Sequence, residues 1–84
     1  MNKKNVLLKL LNNKIIKLSK EQYTPGYFKL DKDLNILYYN KEICFTTDFE
    51  KHPTLNLTTL LNHIMQLQKE GFKLEFFDIV LLRR

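Results

Sequence analysis

Between residues 56 and 70 the apolar positions Leu57, Leu60, Leu61, Ile64 and Leu67 recur at helical spacing, with Thr59, Asn62, His63 and Gln66 on the opposite side. This pattern predicts an amphipathic helix over residues 56–70. Thr54 or Asn56 suits its start, because a short polar side chain accepts a free backbone N–H there. Lys69 falls in the last turn, where a cation suits the helix dipole. Gly71 follows as a residue free to adopt a left-handed stop.

Residues 3–18 carry a mixed pattern. On a helical wheel Leu7, Leu8, Leu11, Ile15 and Leu18 share a face, opposite Lys9, Asn12 and Asn13. A rival reading breaks the segment at Asn12-Asn13, since paired Asn residues favour turns and helix ends. The preferred expectation is a helix over 3–12 and a strand over 14–18.

Alternation of period two dominates the middle of the chain. Thr24-Pro25-Gly26 predicts a turn, with Pro fixing φ at one corner and Gly accepting positive φ at the next. Strands are expected at 27–30, 34–39 and 42–47, with turns at Asp31-Lys32-Asp33 and Asn40-Lys41. Leu34, Ile36 and Tyr38 would share one face, and Ile43 and Phe45 another. After Gly71, residues 73–82 place Leu74, Phe76, Val80 and Leu82 on one side, and Phe77, Ile79 and Leu81 on the other. A strand apolar on both sides is usually central in a sheet or lies at an oligomer interface. The expected fold is α+β: an antiparallel or mixed sheet of four to five short strands, with one or two helices packed on one face.

Composition agrees with one domain spanning residues 1–84. The chain has 84 residues and is 44% apolar, enough for one core with a thin stability margin. It has two Gly and two Pro, which argues against long linkers. Ala and Trp are absent while Lys, Asn, Leu and Ile abound, a bias that suggests AT-rich coding, bacterial or phage. Lys9 interrupts the first apolar run, and no run approaches the roughly 18 apolar residues of a membrane span, so neither a secretory signal nor a span is expected. With Cys44 alone, no internal disulfide can form, and a cytoplasmic setting is the expectation.

Charge changes the picture more. The net charge is +5, yet residues 1–20 hold Lys3, Lys4, Lys9, Lys14, Lys17 and Lys20 and no acid, so the basicity belongs to the N-terminal segment. These six lysines are the candidate polyanion-binding residues. Tyr27, Phe28, Tyr38, Tyr39 and Phe45 are sheet aromatics that could stack on unpaired bases. Lysines on a helix are more often a solvated face, and sheet aromatics more often cross-strand pairs.

Catalytic and metal chemistry find little footing. Cys44, His52 and His63, with Asp48 or Glu50, lack the paired short spacing of a zinc site. Cys44 alternates with Ile43 and Phe45, which suits a buried structural thiol. Ser19, the only serine, lies in no nucleophile-elbow context. Asp31 and Asp33 suit turn chemistry better than acid–base work. Gly26 and Gly71 stand too far apart for a phosphate loop. Neither an enzyme, a cofactor, a metal nor a small-molecule substrate is expected.

Protein contact or self-association is therefore the leading expectation, with Phe77, Ile79, Leu81 and Tyr39 as candidate interface residues. Small, basic, motif-free chains with AT-rich coding are often inhibitors or adaptors carried by phages or mobile elements. Nucleic-acid binding through the N-terminal lysines and sheet aromatics is the alternative.

Overall fold

The computed structural model describes residues 2–39 and 49–78. Within them the chain runs α1 (Lys3–Leu11), β1 (Lys14–Ser19), β2 (Gly26–Leu30), β3 (Ile36–Tyr39), β4 (Glu50–Lys51), α2 (Leu57–Lys69) and β5 (Lys73–Asp78). The strands form one five-stranded sheet in the order β4-β3-β2-β1-β5. Every pairing is antiparallel, and both helices pack on one side. The α+β expectation holds, without the mixed option.

Asn residues set both helix starts. Asn2 Oδ1 accepts the Asn5 N–H at 2.9 Å, and Asn56 Oδ1 accepts the Thr59 N–H at 2.8 Å. Each satisfies one of the free donors of a first turn. Asn12-Asn13 ends α1, with Asn13 at φ +63°. This break bears out the preferred expectation of a helix over 3–12 followed by a strand over 14–18, with a different apolar face on the helix. Val6 and Leu10 are the buried residues of α1, while Leu8 and Leu11 are exposed. At the end of α2, Gly71 sits at φ +97°. Its N–H donates to the Gln68 carbonyl at 3.1 Å, and the Phe72 N–H reaches back to Leu67 at 3.0 Å. Both bonds satisfy last-turn carbonyls.

Two turns differ from expectation. The β1–β2 connection turns at Lys20–Tyr23, where the Tyr23 N–H donates to the Lys20 carbonyl at 3.0 Å and Gln22 takes φ +73°. Pro25 and Gly26 instead lead into β2, because Gly26 already pairs with Leu18. Leu34 belongs to the β2–β3 turn at φ +64° and is half exposed, so it does not share the face of Ile36 and Tyr38. Asp31 imposes that geometry. Its Oδ1 accepts the N–H groups of Asp33 and Asn35, each at 2.9 Å, and its Oδ2 accepts Asn35 Nδ2 at 3.1 Å. The expected turn at 40–41 and strand at 42–47 lie outside the described residues.

Ile16, Leu18, Leu30 and Ile36 point from the sheet into a core shared with Val6 and Leu10 of α1 and Leu60, Leu61 and Ile64 of α2. Phe28, Leu74 and Phe76 pack at its margin. Burying such side chains is worth about 1.5–3 kcal/mol each before entropy is counted. Ile15 and Tyr27 are buried as well, although they point to the side away from the helices.

Candidate interaction surfaces

Register sorts the sheet residues. Paired residues in an antiparallel sheet share a side, and neighbours along a strand alternate. Phe28 pairs with Ile16 and Tyr38, so all three face the helices. Tyr27 pairs with Lys17 and Tyr39, and these three face away. Lys29, Leu37 and Lys51 form a second cross-strand set on the same side, called helix-free below because neither described helix packs on it. Phe77, opposite Ile15, belongs to it too. The aromatics read from the sequence as one group are thus divided between two faces. Tyr39 and Phe77, both candidate interface residues, share the helix-free face; Ile79 and Leu81 lie outside the described residues.

Aromatic and lysine side chains touch across that face. The Tyr27 and Tyr39 ring centroids are 6.5 Å apart, and those of Tyr39 and Phe49 are 5.8 Å apart. Lys17 Nζ lies 5.8 Å from the Tyr27 centroid, and Lys29 Nζ lies 5.6 Å from that of Phe49. These distances fall within cation–π range. Sequence reading passed over Lys29, Lys51 and Phe49. Their alternation was visible, but only the register of three strands places them together.

The six N-terminal lysines do not form one patch. Lys3 and Lys4 are exposed in the first turn of α1. Lys9 Nζ lies 5.5 Å from the Phe76 centroid, on the helix side. Lys14 pairs with the Asp78 carboxylate across β1 and β5. Lys17 faces the other way. Lys20 donates to the Glu70 carbonyl at 2.7 Å and lies near the Tyr23 and Phe72 rings, tying the β1–β2 turn to the end of α2.

Among the described strands β5 occupies one end of the sheet, so that of the two expected placements the interface one is left. It pairs with β1 through six successive positions, Lys73 with Ser19 to Asp78 with Lys14, with no bulge. Among the described residues no strand pairs with its outer edge. Phe76 faces the helices and Phe77 faces away, both half-buried. Lys73 and Glu75 form an ion pair at 3.9 Å on the helix-free side.

An open depression of about 720 Å³ lies between the C-terminal end of α1 and the β2–β3 turn. Leu10, Leu11, Leu30 and Leu34 line it, with Lys29, Lys32, Asp31 and Asp33. Its carboxylates do not act as a pair, because Asp31 is committed to the turn. The N–H donated by Asn35 holds the Asp31 carboxyl below its ordinary range. His52 is committed too: its Nδ1 accepts the Leu55 N–H at 3.0 Å and the Thr54 N–H at 3.3 Å ahead of α2. His63 is exposed on α2. Among the described residues no three His, Cys, Asp or Glu side chains gather as metal ligands. Cys44 lies outside them. No described helix is long and apolar enough to cross a membrane.

The chain matches no family model, no curated protein and no solved structure with which it was compared.

Proposed function

We propose that this chain is a non-enzymatic binding module that works through protein contacts, with the β5 edge as its contact element. One observation carries the reading: an unbulged strand, with Leu74 and Phe76 on one face and Phe77 on the other, stands at the end of the sheet among the described strands. Edge strands are usually blunted by bulges, Pro, or inward-pointing charge, since their free N–H and C=O groups accept another strand. β5 has no Pro, and its consecutive Phe76 and Phe77 are uncharged between Glu75 and Asp78. A partner strand, or a second copy of the chain, would pair with the backbone and cover both rings. A role as an inhibitor or adaptor of a phage or mobile element fits the small size and coding bias.

The test is a pull-down from the native host with nuclease present, using wild type and Phe77→Gln, each verified as folded by circular dichroism. A protein retained by wild type and lost by the variant supports the reading. Equal retention by both, or loss of everything on nuclease treatment, contradicts it.

A further inference from the structure

The helix-free face carries a second argument, independent of the β5 edge. β1 to β4 bring Lys17, Lys29 and Lys51 around the rings of Tyr39 and Phe49. Both rings are half-buried, so each keeps an accessible part. Tyr27 is buried beside Tyr39. Among the described residues neither Lys17 nor Lys29 is in an ion pair. Lys51 is close enough to help lower the pKa of Asp31. Two acids of the flanking strands are directed elsewhere. Glu50 pairs with Tyr38 on the helix side and Asp78 with Lys14 on that same side, whereas Glu75 lies on this face opposite Lys17, 3.9 Å from Lys73. Lys17, Lys29, Lys51 and Lys73 outnumber Glu75 there, so the face is locally cationic and aromatic.

We infer that this face binds single-stranded nucleic acid. Phosphates would meet the three ammonium groups, and unpaired bases would stack on Tyr39 and Phe49. An acidic peptide would use the lysines but has no need of the rings. A duplex would hide its base faces. Only a single strand matches both the charge and the aromatic surface, and it does so without arginine or base-edge readout, so sequence preference should be weak.

The experiment titrates the full chain with a fluorescent oligothymidylate at several salt concentrations. Heparin, a polyglutamate peptide and a DNA duplex serve as comparisons. Three lysine contacts predict a slope of log K against log salt of about −2. Changing Lys17, Lys29 and Lys51 together to Gln should remove that salt dependence and most of the affinity. Tyr39→Leu and Phe49→Leu should each weaken oligothymidylate roughly tenfold while leaving the salt slope and heparin binding unchanged. Phe77→Gln should leave oligothymidylate binding intact, which separates this surface from the β5 edge. No oligothymidylate binding at low salt would overturn the inference. So would equal affinity for heparin, polyglutamate or duplex with both rings dispensable.

Discussion

Leu34 is a residue whose side chain and backbone disagree. It holds φ +64° and exposes about half of its surface, 54%. A non-glycine residue in the left-handed region costs roughly 1–2 kcal/mol. Little burial is lost on truncation at so exposed a position. Leu34→Gly should therefore stabilise the fold by about 0.5 kcal/mol, after the added chain entropy of glycine is set against the relieved strain. Urea unfolding measures this directly, and a clear destabilisation would show that the Leu34 side chain packs more than its exposure implies. Asp31 governs the same turn through its three accepted bonds. Its folded pKa is lowered, so its contribution is present above the unfolded value and is lost as pH falls through the folded one. Stability should decline below about pH 4 partly through this group, given the ordinary range of Asp. Asp31→Ala should be less stable at neutral pH and show a shallower acid limb in thermal melts.

At the scale of elements, α2 was the most legible part of the sequence. Its stripe, its Asn56 cap and its Gly71 stop all agree, and the structure places Leu60, Leu61 and Ile64 in the core. Gly71→Ala should cost about 1 kcal/mol, through φ alone. An added Cβ would meet the Lys20 side chain at no closer than 3.7 Å, an ordinary contact. Ile64→Ala should cost about 2–5 kcal/mol, a large share of the stability of so small a domain. The break after α1 was legible at Asn12-Asn13, but the apolar face was not: Leu8 and Leu11 are exposed, and Val6 and Leu10 are the buried residues. The Pro25-Gly26 signal was also misplaced. Pairing of Gly26 with Leu18 draws that dipeptide into the sheet, and the tight turn forms earlier with Gln22 in the left-handed position. Pair energies across a sheet can outweigh local turn preference in this way.

For the whole molecule, sequence alternation shows which side chains share a face of one strand, but not which strands are neighbours. That is why Lys29, Lys51 and Phe49 escaped notice, and why the last strand was left open between the centre of the sheet and an interface. Two-sided apolarity is shared by central strands and by edges that await a partner, so strand order alone decides between them. The order β4-β3-β2-β1-β5 leaves β5 at the end, and the contact reading rests on that placement. Backbone amides test it most directly. In a six-residue antiparallel edge strand, alternate N–H groups point outward. Residue-resolved hydrogen exchange on the dilute chain should show alternation along Lys73–Asp78, with inward amides slow and outward amides fast. Addition of the captured protein, or concentration of the chain if the partner is a second copy, should slow the outward set. Outward amides already slow at dilution, or unchanged when the complex forms, would contradict the assignment of β5 as the contact edge.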